Sequence, residues 1–191
     1  MLSMFDVILN IISLNDMYTG KHQYKVAQIS KMIAEELKLS PESVKGIYQI
    51  SIIHDIGKVK VPSQILNKPG PLNKNEFEFI KQHPVVGYNI LKDIEFPWPV
   101  AETILMHHEK LDGSGYPSGL KGSEILFEAK ILTIADIIEA ILSPRPWRDS
   151  LTPKEVADEL IGNRGKKYDP EIVDVAIGII NNPKFHLEDY T

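Results

Sequence analysis

The stretch His107-His108-Glu109-Lys110-Leu111-Asp112-Gly113-Ser114-Gly115-Tyr116-Pro117-Ser118-Gly119 closes an apolar, helix-patterned run and passes at once into a loop rich in glycine. Two adjacent imidazoles at a helix end are costly to bury unless something binds them. Glycines beside them let backbone approach a ligand closely. The stretch reads as a metal at one end and an anionic substrate along the other. The rest of the chain then adds ligands or holds the centre in place.

Outward from this stretch the pattern is helical on both sides. Upstream, residues 4–15 carry Phe5, Ile8, Leu9 and Ile12 at helical spacing, and Gly20 marks a break. A helix over about 21–38 follows, with Val26, Ile29, Ile33 and Leu37 as its stripe. Ser40-Pro41 is an N-cap with proline in the first turn, and starts a helix that reaches His54-Asp55 and stops at Gly57. Val59 to Pro62 reads as extended. Asn73 caps a helix carrying Phe77 and Ile80, and Pro84 breaks the chain at His83 and starts another to about Lys92. Pro97-Trp98-Pro99 leads into the helix that ends at His107. Downstream, Ala129–Leu142 is apolar and helical with a lone Asp136. Thr152-Pro153-Lys154-Glu155 and Asp169-Pro170-Glu171 start the last two helices. Strand patterns and repeats are absent. The expectation is an all-α, single-domain bundle of about seven helices over residues 1–191, with 1–16 a first helix or the remnant of a linker to a sensor domain.

Composition narrows the chemistry. The 191 residues include no cysteine, so thiolate sites, a cysteine nucleophile and disulfides are excluded. A net charge of −5 without a long basic run argues against a duplex nucleic-acid surface. No apolar stretch reaches the ~18–20 residues of a membrane span, and a cytoplasmic protein is expected.

Any metal must be held by nitrogen and oxygen. His54 and Asp55 sit at a helix end, where both can reach one centre; a hydrogen-bonded surface pair is the competing reading. Asp136, between Ile134-Ala135 and Ile137-Ile138, faces the interior, paired either with a metal or with a buried cation. His22 and His83 are weak alone, and His186 reads as surface. Together His22, His54, Asp55, His83, His107, His108 and Asp136 suffice for two metals, with Asp55 the natural bridge. Such donors suit Fe, Mn, Zn, Ni or Co. Two metals about 3.5–4 Å apart generate hydroxide and stabilise an in-line displacement at phosphorus.

His54-Asp55-Ile56-Gly57-Lys58, together with His107 through Pro117, resembles the HD-GYP subgroup of the HD-domain metal-dependent phosphohydrolases. The likeness runs from about Tyr18 to about Asp169 and takes in Lys68-Pro69-Gly70, Ile134-Ala135-Asp136 and Arg145-Pro146-Trp147-Arg148. It implies a helical bundle that hydrolyses cyclic dinucleotides, chiefly cyclic di-GMP, to pGpG and/or GMP through two divalent ions, Fe or Mn first. It implies that one metal takes His22, His54, Asp55 and Asp136, and the other Asp55, His83, His107 and His108. His54, Asp55 and Lys58 would be catalytic. Lys58, Tyr116, Arg145, Arg148 and Glu139 would meet the nucleotide.

Some positions depart from the pattern. Tyr18 stands where members with a third metal carry glutamate, so two metals are expected. Glu139 replaces a usual Asp and Pro144 a usual acidic residue, which touches substrate preference. Two other readings stay open: a signalling module that docks a diguanylate cyclase through the Tyr116 loop, and a hydrolase of another phosphoester.

Overall fold

The structure, a computed structural model, describes residues 5, 7, 8, 17–144, 150–183, 185 and 187, and for 17–19 the backbone alone. Most of the expected 4–15 helix, the Tyr18 side chain, Arg145, Arg148 and His186 lie outside the described residues. Within them the chain is all-α. We label the helices of seven residues or more α1 (Met17–Glu36), α2 (Pro41–Ile53), α3 (Lys74–Ile80), α4 (His83–Leu91), α5 (Val100–Met106), α6 (Phe127–Leu142), α7 (Pro153–Gly162) and α8 (Pro170–Ile180). A 3-10 turn spans Ile56–Lys60 and a single helical turn Ser63–Leu66. Only isolated bridges, Asp112–Lys121 and Arg164–Tyr168, stand in for strands among the described residues.

The capping residues act as their sequence suggests. Ser40 Oγ accepts from the Ser43 amide at 3.1 Å, with Pro41 in the first turn of α2. Asn73 with Glu76, and Thr152 with Glu155, form reciprocal capping boxes that satisfy the free amides opening α3 and α7. Asp169 caps α8. At the other end of α1, Lys38 takes a left-handed φ of 57°, and the Leu39 amide returns to Ala34 O at 3.1 Å.

Two local expectations are corrected. Gly20 does not break the chain but lies inside α1; its propensity cost, about 1 kcal/mol relative to alanine, is outweighed by the packing of α1 on α2 and α6. Val59 and Lys60 are not extended. Amides of Lys58 and Val61 bond to Asp55 O and Lys58 O at 2.8 and 2.9 Å, winding the segment into the 3-10 turn. Extended backbone starts only at Val61.

The core is built largely of isoleucine. Ile29 and Ile33 of α1, Ile50 and Ile53 of α2, Ile104 of α5 and Ile131, Ile134 and Ile138 of α6 are all almost fully buried. This packing fixes the ends of α2, α5 and α6 around one point. The 3-10 turn is pressed onto α4: a Cβ on Gly57 would lie 1.9 Å from His83 O and 2.7 Å from the Gly87 amide nitrogen. Both neighbours are backbone and cannot swing aside, so only glycine lets the His54-Asp55 segment reach His83. Gly57→Ala should therefore cost about 1–3 kcal/mol by overpacking and disturb His83. Thermal unfolding checks it, and an unchanged Tm would contradict this account.

Candidate metal centre

Three histidines stand at or just beyond helix C-termini, where the last carbonyls have no partner in the helix. His54 Nδ1 donates to Ser51 O at 2.7 Å, His83 Nδ1 to Ile80 O at 2.8 Å and His107 Nδ1 to Ile104 O at 2.6 Å. A carbonyl only accepts, so Nδ1 carries the proton and Nε2 of each neutral ring keeps its lone pair. These rings are neutral at pH 7. Burial, reinforced by neighbouring imidazoles, pushes His107 down to about 3. Burial is also the main cause at His83, lowered to about 4, and at His54 and His108, both lowered.

The lone pairs converge. His83 Nε2 and His107 Nε2 are 3.2 Å apart, and with both protons already committed to carbonyls neither can donate to the other. His108 completes one cluster with them, its ring 5.1 Å from that of His83 and 4.0 Å from that of His107. A second cluster holds His22, His54 and Asp136, with His22 Nε2 3.3 Å from Asp136 Oδ1.

Asp55 lies between the two. Its Oδ2 faces His54 Nε2 at 3.5 Å and His22 Nε2 at 3.6 Å, while its Oδ1 faces His83 Nε2 at 3.3 Å. Burial opposes the charge on Asp55, but Lys58, donating to Oδ2 at 2.6 Å, and the surrounding histidines hold the carboxyl well below its usual range. Asp136 is likewise held ionised against burial, chiefly by His22. His22 differs from the other rings. Burial disfavours its charge, but Glu139 and Asp136 overcome this and raise it to about 9. A proton or a metal ion at its Nε2 answers the same carboxylates.

Paired lone pairs, ionised carboxylates and no sulfur fit divalent cations. Every metal-ligand residue expected from the sequence is thus brought to one place. Exposure around the centre is uneven: His54, His83 and His107 are buried, whereas His108 and Tyr116 are partly open and Asp136 and Lys58 have side chains 18% and 24% exposed.

The structure places Glu139 inside the bundle. Expected at the nucleotide, it is 2% exposed and occupied on both oxygens, Oε2 by His22 Nδ1 and Oε1 by Ser143 Oγ at 2.6 Å. It stands behind His22, as an orienting carboxylate stands behind a liganding imidazole.

Two supporting residues escaped the sequence reading. Glu109 is buried and ties down the loop: Oε1 accepts from the Ser118 and Gly119 amides at 2.7 and 3.2 Å, and Oε2 from Leu120 at 3.1 Å. A charged residue directly after His107-His108 in a glycine-rich loop was the available signal. Thr133 Oγ1 donates to His107 O at 2.6 Å, which no sequence pattern announced. In the loop, a Cβ on Gly115 would lie 2.5 Å from His108 O, so glycine is required for the Tyr116 amide to reach that oxygen at 3.2 Å. The Tyr116 ring then lies 4.7 Å from that of His108.

This bundle, with a His-Asp pair at its centre, defines a class. The HD domain family model matches residues 6–172, and the chain belongs to that family. Within it, the loop and ligand motifs are those of the HD-GYP subgroup. The chain is 42% identical over 170 residues to a cyclic di-GMP phosphodiesterase of Thermotoga maritima, covering 87% of this chain and 46% of that protein. It is 38% identical over 150 residues to the 3'3'-cGAMP-specific phosphodiesterase 1 of Vibrio cholerae, covering 78% of this chain and 35% of that protein. The chain therefore spans less than half the length of these relatives. Among solved structures, an HD-GYP-type protein of Bdellovibrio bacteriovorus, Bd1817, shares the fold with a TM-score of 0.71 at 20% identity, covering 84% of this chain and 52% of that one. Among the described residues no helix is long and apolar enough to cross a membrane.

Two outcomes follow for the metal-free protein. Unfolded imidazoles titrate near about 6.5, whereas His83 and His107 bind protons only below about 4 and about 3 when folded. The unfolded chain binds more protons between these limits, so Tm should fall as pH drops from about 6.5 to 4. His22 has the opposite sign: its contribution is present below 6.5 and is lost as pH rises through about 9. A flat or rising Tm from 6.5 to 4 would contradict the neutral-ring assignment. Adding Mn(II) to chelator-stripped protein at pH 7.5 should raise Tm by several degrees, and His83→Ala or His107→Ala should remove most of that rise.

Proposed function

We propose that the protein is a metal-dependent phosphodiesterase that hydrolyses cyclic di-GMP to pGpG and/or GMP. The observation that carries this reading is Asp55, whose two oxygens face different histidine clusters, as a carboxylate bridging two ions requires. His22, His54, Asp55 and Asp136 would hold one ion, and Asp55, His83, His107 and His108 the other, with Fe or Mn first among candidates. When bound, such ions supply Lewis acidity at a phosphoryl oxygen and an activated water for attack at phosphorus.

The chain's own residues do the rest. Lys58 holds Asp55 and, being partly exposed, neutralises phosphate charge. The buried histidine rings keep the floor rigid. Tyr116, stacked beside His108, lines the path by which substrate reaches the centre. Arg145 and Arg148 remain in this proposal as phosphate-binding residues on sequence grounds.

A second reading, 3'3'-cGAMP as preferred substrate, draws on the Vibrio cholerae relative. Comparing kcat/KM for the two cyclic dinucleotides separates them.

In that assay, with anaerobically supplied Fe or Mn, Asp55→Ala and His54→Ala should each lower kcat by at least ~10³-fold. Retained turnover in either would sink the two-ion reading. Arg145→Ala should raise KM more than it lowers kcat.

A further inference from the structure

Helix α3 has no buried residue, and Lys81 at its C-terminal end has its Nζ 5.6 Å from the ring of Tyr116. Phe77, which the sequence places on this helix, and Phe79 are each 46% exposed. What holds α3 in place is polar: the Asn73–Glu76 capping box and a 2.7 Å bond from Lys68 Nζ to Glu76 Oε2. Phe77 and Lys81, four residues apart, share one face of this helix end.

That face points toward the site. Lys81 Nζ stands 4.9 Å from the Phe77 ring centroid and 5.6 Å from that of Tyr116. Tyr116 in turn lies 4.7 Å from His108. His108, Tyr116, Lys81 and Phe77 therefore form one continuous line from the metal cluster to solvent. Two residues beyond Lys81 the same segment delivers His83, so the outer end of this line is tied to the centre through backbone as well. Among the described residues Lys81 pairs with Glu78 Oε1 at 2.8 Å, on a side chain 53% exposed. An exposed pair of this kind contributes little and is readily exchanged.

We infer that Phe77 and Lys81, with Tyr116, form an outer subsite for the half of a cyclic dinucleotide remote from the bond being cut. A purine stacks on the Phe77 face, and Lys81 meets the second phosphate. An exposed flat ring accepts any base, and a lysine between two rings sets a cation where an anionic ligand must pass. The centre needs only one phosphodiester. A second anchoring point of this chemistry serves a ligand with a second phosphate and a base. The inference rests on the proposed cyclic dinucleotide activity and deepens it.

The test is steady-state kinetics of the metal-loaded 191-residue chain on cyclic di-GMP and on methyl p-nitrophenyl phosphate, a diester with neither purine nor second phosphate. Base–aromatic stacking lost on alanine substitution corresponds to about a tenfold or larger effect. Phe77→Ala and Lys81→Met should each lower the ratio of kcat/KM for the cyclic dinucleotide to that for the simple diester by that factor, mainly through KM. Glu78→Gln, which frees Lys81, should hold the ratio or raise it. An unchanged ratio in both Phe77→Ala and Lys81→Met overturns the subsite. Equal losses on both substrates also overturn it, because they mean a structural role. So does a Glu78→Gln ratio that falls as far as that of Lys81→Met. A wild-type chain that cleaves the simple diester but no cyclic dinucleotide overturns the proposed function itself, and the subsite with it.

Discussion

Asp55 is an ionised carboxylate held almost entirely away from water; Lys58 on one oxygen and the protonated His22 nearby offset that burial, while His54 and His83 turn unprotonated Nε2 atoms toward it. Lys58 bonds one oxygen, and His22, His54 and His83 face the two oxygens from three segments of the chain. Those segments are the second turn of α1, the end of α2 and the start of α4. The fold can be read as the arrangement that brings them together. Gly57 exists so that the turn carrying Asp55 can lie against the backbone of His83.

The same device recurs at three helix ends. In each, a histidine turns back and gives its Nδ1 proton to a carbonyl three residues earlier. One hydrogen bond satisfies an orphan carbonyl, fixes the tautomer and aims the Nε2 lone pair at the centre. Helix C-termini also carry partial negative charge, which favours a cation nearby. The outcome is a pocket whose lone pairs are already aimed together, with His83 and His107 held nitrogen to nitrogen at 3.2 Å, the arrangement a cation site would need. Preorganisation of this kind lowers the cost of binding.

Much of this was legible in the sequence, because the local signals and the chemistry agree. Ser40-Pro41, Asn73 with Glu76 and Thr152 with Glu155 start helices by satisfying nearby amides, and that is sequence-local physics. The seven nitrogen- and oxygen-bearing residues that meet at the centre could be picked out since the chain has only six histidines and no cysteine. Where tertiary packing decides, local patterns carry less. Gly20 stays helical because α1 is clamped by its neighbours, and no one-dimensional pattern carries that. Glu139 was placed at the nucleotide on the strength of its motif position, whereas its depth behind His22 depends on how α6 crosses α1. Phe77 lies on α3, a helix without a buried residue, and its exposure could not be read from the local pattern. Glu109 acts on amides nine to eleven residues away, through a loop shape that its own sequence does not spell out.

Holding cations is the role proposed for these buried nitrogen and oxygen groups. The most direct test is the metal content of anaerobically purified protein, measured by mass spectrometry after exhaustive dialysis. Close to two transition-metal ions per chain, falling to about one or none in Asp55→Ala, is the predicted result. A folded chain that retains no metal under Fe, Mn, Zn, Ni or Co loading would contradict it.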